Sequence, residues 1–124
     1  MGRTYGERNM VEKYIPKQGD ICYMDFSPTK GHEQTGLRPV VVISKETYNR
    51  YTNMVVLCPI SSNSKPFVAH YKLNSTKKIF GSVLCEHIRS VDYRARNLYF
   101  VEKIDEEDLR EVIDIVSGFI EINN

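Results

Sequence analysis

The sequence predicts a small, mostly antiparallel β protein, a barrel or sandwich, closed by one amphipathic helix at its C-terminal end. Three observations predict it. Short runs rich in β-branched and aromatic residues recur along most of the chain, each bounded by Gly, Pro, Ser and Asn clusters. Apolar spacing of helical period is sustained only near the end, from Leu109 to Ile120. With 124 residues the chain can bury one core without disulfide or metal support.

The first fifteen or so residues lack periodicity and read as a flexible arm, 1–15, ahead of a single domain, 16–124. Pro16 and Gly19 mark a turn, and Ile21–Phe26 is the first strand. Ser27–Leu37 is a polar, glycine-containing loop. It leads into "RPVVVIS" (38–44), a β-branched central strand in which Pro39 is tolerable because it sits at the start. "KETYNRY" (45–51) makes a short helical turn, and "NMVVLCPIS" (53–61) is a second buried strand ended by "SSNSKP". "FVAHYKL" (67–73) alternates as a half-exposed strand. "GSVLCEHIRSVD" (81–92) starts as a strand and turns at its polar end, and "RNLYFVEK" (96–103) is a short strand. Asp105 is placed to cap the final helix, with Glu106, Glu107 and Asp108 in the first turn, where the helix dipole favours negative charge. There is no internal repeat and no low-complexity segment.

Composition narrows the function classes. Apolar runs such as Val40–Ile43 and Val55–Cys58 reach only four residues, far short of a membrane span, and Met1 to Lys13 has no apolar leader core. The expected compartment is the cytoplasm. Cys22, Cys58 and Cys85 are odd in number and lack metal-ligand spacing, so they are expected to be reduced and buried, with no metal bound. A net charge of +1 hides an asymmetry: residues 102–124 carry eight acidic and two basic side chains, net −6, and the rest of the chain net +7. A basic body beside an acidic end suits an anionic partner bound away from that end.

Four polar clusters interrupt the strands: His32-Glu33-Gln34 with Arg38, Ser61-Ser62-Asn63, Glu86-His87 with Arg89, and Asp92 with Arg94 and Arg96. Taken singly each has an ordinary explanation as a solvated loop, a turn or a surface ion pair of little energetic value. Together they sit at strand ends, where rigid scaffolds display functional groups. They supply candidates for a base (Glu86, His87 or His32), a phosphate clamp (Arg38, with Arg89) and hydroxyl donors (Ser61, Ser62). That inventory fits metal-free, cofactor-free RNA cleavage, in which a base removes the ribose 2′-OH proton and guanidinium offsets the charge growing on phosphorus-bound oxygens. There is no G-x-S-x-G, no P-loop and no H-E-x-x-H to support other hydrolytic chemistry.

In order along the chain, "KQGDICYMDFSPTKGHEQTGLRPVVVIS", "YN", "VVLCPISS" and "GSVLCEHIRSVDYRAR" resemble the MazF/PemK (Kid-like) toxins of bacterial toxin–antitoxin systems, over roughly residues 16 to 120. The resemblance implies an SH3-like β-barrel with short additional helices and a homodimer. It also implies ribosome-independent, sequence-specific cleavage of single-stranded RNA to 2′,3′-cyclic phosphate and 5′-OH ends, and a cognate antitoxin that blocks the RNA site. It implies that Arg38 steadies the scissile phosphate, that Ser61 stands where relatives carry a catalytic threonine, and that His32 and Glu33 match loop residues tied to RNA binding and, in some members, to catalysis. Gln34, Ser62 and Arg89 are read from their placement as further RNA contacts. Glu86 matches a general-base position of the Kid-like branch. Two residues depart from the pattern: His87 replaces a common glutamine, and Leu84 stands where the Kid-like branch has a catalytic arginine. The Kid-type acid–base pair therefore does not transfer intact, and the Arg38/Ser61 arrangement is favoured, with the base left between Glu86 and His87. Tyr48, Phe67 and Tyr93 are stacking candidates equally suited to a core or an interface. The alternatives are a gyrase-poison toxin of the same fold and a non-catalytic RNA-binding module.

Overall fold

The structure, a computed structural model, describes residues 14–26 and 36–123. The expected arm therefore lies outside it up to residue 13, as do His32, Glu33 and Gln34. Seven strands follow in chain order: β1 (Asp20–Asp25), β2 (Leu37–Val42), β3 (Val55–Ser61), β4 (His70–Lys72), β5 (Ser82–Leu84), β6 (Arg89–Val91) and β7 (Tyr99–Lys103). Helix α1 (Glu46–Thr52) joins β2 to β3, a 3-10 turn (Cys85–His87) separates β5 from β6, and α2 (Glu106–Phe119) ends the chain. Every pairing is antiparallel, in the order β4-β5-β3-β2-β1-β7, with β6 also on β3. The mostly antiparallel β architecture with a C-terminal helix is the one the sequence predicts.

β1 to β3 are apolar on both faces because both faces are covered. On one side Ile21, Val41, Cys58, Ile60, Val83 and Cys85 pack with Val112 and Val116 of α2. On the other, Cys22, Met24, Val40, Val42, Val55 and Leu57 pack with Val91, Tyr93 and Leu98. Helix α2 forms where its periodicity requires, and the Asp105 carboxylate accepts from the Asp108 N–H at 2.9 Å, the cap read from the sequence. It stops at Phe119, leaving Ile120 exposed, because the apolar stripe outruns the core beneath it.

β7 and the β4–β5 hairpin stand at opposite ends of the strand order, yet side chains tie them together. Glu102 of β7 accepts from the backbone N–H groups of Lys77, Lys78 and Ile79 at 2.8–2.9 Å. Asp108, almost fully buried, accepts from the Tyr71 hydroxyl at 2.6 Å and from the Ser75 N–H at 2.9 Å. Carboxylates thus join the two ends of the sheet where no ladder connects them. A second buried carboxylate, Asp20, is held by the Tyr14 hydroxyl, the Lys17 N–H at 3.0 Å and Lys103 Nζ at 2.9 Å.

Two stretches differ from the sequence reading. Of 67–73 only His70–Lys72 is strand, and Phe67 and Val68 are exposed. The stretch 81–92 is two strands broken by the 3-10 turn, because β3 changes partners beside it. β6 pairs with β3 at Val55–Leu57 and β5 at Ile60–Ser61.

Candidate active site

The site is assembled where β2 begins and β3 ends. These strands pair at Val40↔Pro59, Val41↔Cys58 and Val42↔Leu57, and the same register continued outward sets Arg38 opposite Ser61. The ladder stops there because Pro39 and Pro59 have no N–H to extend it. The strand ends frame a groove of about 510 Å³ whose walls include Tyr23, Arg38, Ser61, Ser62, Lys78 and Phe80. Arg38 lines this groove, and among the described residues its guanidinium has no hydrogen bond or ion pair. Ser61 Oγ accepts from the Asn63 N–H at 3.1 Å, which fixes the oxygen and leaves its own proton free to be donated.

Two features hold this mouth in shape. Gly81 adopts φ +141°, and a Cβ there would lie 2.4 Å from the Ser61 carbonyl oxygen and 2.8 Å from its carbon. Only glycine lets β5 approach β3 closely enough to set the Ser61–Ser62 backbone. Across the groove, Glu102 cradles the segment that carries Lys78 and Phe80. Burial alone would raise the Glu102 carboxyl, but the three N–H donors outweigh it and hold the group below the usual carboxylate range.

Glu86 and His87 lie in the 3-10 turn. Glu86 bonds His70 Nε2 at 2.8 Å, and His87 stands 3.6 Å from the same carboxylate oxygen, largely exposed. His70 Nδ1 faces the Lys65 carbonyl at 2.9 Å. Both ring nitrogens thus face acceptors, an arrangement only the imidazolium satisfies. The hydrogen bond to Glu86 accordingly raises the His70 pKa. For Glu86, burial pushes upward, but the His70 bond and the charges of both histidines win and lower it. His70 lines a second hollow of about 390 Å³ with Lys65, Phe67 and Ser82, and Ser61 and Ser62 line both hollows.

The structure therefore brings Arg38, Ser61 and Ser62 into one groove and sets the Glu86–His70 pair beside the adjoining hollow. Arg89 does not line either one. Its guanidinium stacks over Phe26, 5.4 Å from the ring centroid. Of the stacking candidates, Phe67 is exposed in the second hollow, edge-on to His70, and Tyr48 is exposed on α1. Tyr93 is 3% exposed and belongs to the core. Sequence reasoning missed His70, Gly81 and Glu102, whose partners are all remote in the chain. A larger hollow of about 750 Å³ lies elsewhere, by Tyr14, Asp20 and Lys103. Its carboxylates are already paired, Asp20 with Lys103 and Glu46 with Arg50 at 2.8 Å.

A small curled sheet that presents an arginine and an oriented hydroxyl at one mouth defines a class of protein rather than a single member. Residues 17–119 match the family model of the PemK-like, MazF-like toxin of type II toxin–antitoxin systems. The endoribonuclease toxin MazF of Escherichia coli (strain K12) is 39% identical over 87 residues, 70% of this chain and 78% of that one. The endoribonuclease PemK of Escherichia coli is 30% identical over 108 residues, 84% and 81% of the two chains. A crystal structure of MazE-MazF (Form-III) from Deinococcus radiodurans superposes with a TM-score of 0.79 at 28% identity, covering 89% of this chain and all of that one. The chain belongs to the PemK-like, MazF-like toxin family.

Proposed function

We propose that the protein is the toxin of a toxin–antitoxin pair and a sequence-specific endoribonuclease that cuts single-stranded RNA without metal or ribosome, leaving 2′,3′-cyclic phosphate and 5′-OH ends. The observation that carries this reading is the juxtaposition of Arg38, free of partners among the described residues, with the Ser61 hydroxyl across the strand register. In the reaction a base takes the 2′-OH proton, the oxygen attacks phosphorus, and Arg38 and Ser61 donate to the phosphoryl oxygens as charge grows there. The base comes from the Glu86–His87 turn. Glu86, kept ionised by its bond to His70, is taken as the base, and the His70 imidazolium carries a proton for the departing 5′-oxygen. Ser62 and Phe67 contact the RNA on either side of the cut, Ser62 by its hydroxyl and Phe67 by base stacking. His32, Glu33, Gln34 and Arg89 contact it from the β1–β2 loop and the outer face. The toxin acts as a homodimer in the cytoplasm, and its cognate antitoxin, an acidic segment that folds on binding, covers the groove.

Purified protein incubated with a long single-stranded RNA, with and without EDTA, tests the reading directly. Cleavage is expected in both, with cyclic-phosphate ends. Arg38→Ala is expected to lower kcat/KM by about 10²–10³-fold, the scale of losing one charge-stabilising donor. Ser61→Ala is expected to lower it by about tenfold, the scale of one neutral hydrogen bond. Arg38→Ala cleaving at the wild-type rate would remove the basis of the proposal. Binding without any cleavage would leave an RNA-binding module in its place.

A further inference from the structure

Three thiols are buried, and they are not equivalent. Cys22 sits in the outer core, where its sulfur meets the Tyr14 hydroxyl at 3.2 Å. Cys58 and Cys85 share the inner core, both 0% exposed. β3 and β5 pair at Ser61↔Ser82 and Ile60↔Val83, and that register continued inward sets Cys58 against Cys85, where β5 gives way to the 3-10 turn. The Cys85 thiol itself reaches back to the Val83 carbonyl at 3.9 Å, on the strand that faces Cys58. Residues facing each other across an antiparallel pair have Cα atoms about 4.5–5.5 Å apart, inside the span a disulfide accepts.

We propose that Cys58 and Cys85 are a redox modification site that closes to an intramolecular disulfide when the protein meets a peroxide. Cys85 is the attacking thiol. The neighbouring Cys58 thiol lowers its pKa against the opposing effects of burial and the Glu86 charge. Cys85 gives up its thiol proton, the thiolate attacks one peroxide oxygen, the O–O bond breaks, and a sulfenic acid forms while the leaving hydroxide takes up that proton as water. The Cys58 sulfur then attacks the sulfenic sulfur, its proton leaves with the hydroxyl as a second water, and the S–S bond forms. Two thiols are oxidised and one peroxide is reduced. Access comes through the turn: Cys85 opens it, exposed Glu86 and His87 follow, and a bond of 3.3 Å from the Ile88 N–H to the Cys85 carbonyl closes it. Opening this one turn uncovers the sulfur while the sheet stays folded. The closed bridge staples the turn that carries Glu86 and His87 to the strand that carries Ser61.

The test uses the full chain treated with hydrogen peroxide, quenched, denatured and alkylated with iodoacetamide. Intact mass is expected to show one alkylated cysteine and the loss of two hydrogens, both reversed by dithiothreitol. Peptide mapping is expected to link the Cys58 and Cys85 peptides and leave Cys22 alkylated, and the oxidised protein should melt higher by about 5 °C or more. Cys58→Ser and Cys85→Ser should each abolish the mass loss, while Cys22→Ser retains it. Three alkylatable thiols after peroxide, a bridge through Cys22 or between two chains, or sulfinic acid at Cys85 would each overturn the proposal. The wild-type map decides the question even where a serine variant folds poorly.

Discussion

His70 and Glu86 form a pair whose two charges have opposite pH dependence. Glu86 is held below its ordinary value of 4.5, so its contribution to stability is complete above that pH and is lost as pH falls through the lowered value. His70 is held above its ordinary 6.5, so its contribution is complete below that pH and is lost as pH rises through the raised value. The pair supports the fold fully between about pH 4.5 and 6.5. Glu86→Gln is therefore expected to lower Tm most within that window, by an amount worth about 1 kcal/mol or less because the carboxylate is partly exposed. Thermal melts of both proteins across pH 4 to 9 check it, and a gap that stays constant would contradict the pairing. The residues that the sequence announced, Arg38, Ser61 and Glu86, are chemically conspicuous at strand ends. His70 is not, because a histidine in an alternating strand reads as surface until Glu86, sixteen residues on, is seen bonded to it.

At the scale of elements, the approach of β5 to β3 sets the Ser61 end of the groove. Gly81→Ala would place a methyl group against the Ser61 carbonyl and strain a backbone angle of +141°. It is expected to destabilise the protein by about 2–3 kcal/mol and to reduce RNA cleavage further than the lost stability explains. Melting temperature and kcat/KM measured on the same preparation separate the two effects, and an unimpaired variant would show that β3 does not depend on this contact. The strands β1 to β3 and the cap of α2 were legible because their signals are local: a β-branched run, a turn cluster, an Asp before an acidic first turn. The break of 81–92 into two strands was not, because its cause is the change of partner along β3. Phe67 and Val68 read as strand for their apolar character, although no neighbouring element covers them.

Across the whole molecule, closure depends on carboxylates rather than on a continuous ladder. Asp108 accepts from Tyr71, Asn74 and Ser75, and those donors outweigh burial to hold it below its ordinary value. Asp108→Ala is expected to cost about 2–3 kcal/mol and to loosen the β4–β5 hairpin from α2. Urea unfolding with hydrogen exchange of the Asn74 and Ser75 amides would report both, and unchanged protection there would count against the latch. The cost should shrink under acid, from about pH 3.8 downward, and vanish as pH falls through the lowered value at which the wild-type carboxyl is itself protonated. None of this closure shows in the sequence, where Asp108 reads as one acidic residue in a helix's first turn.

The two-sided covering of β1 to β3 has a consequence for how the chain finds its alignment. In a sheet wet on one face, a slip of one residue drives apolar side chains into water, and the penalty guards the pairing. Here a slipped "VVV" or "VVLC" would exchange one oily compartment for the other at little loss. Alignment must instead be keyed by residues that tolerate a single seat. Asp20 needs its three donors, and Pro39 and Pro59 need positions where no N–H is called for. Both prolines sit at the mouth of the Arg38–Ser61 groove, so the lips of the reaction site also serve as the notches that index the fold.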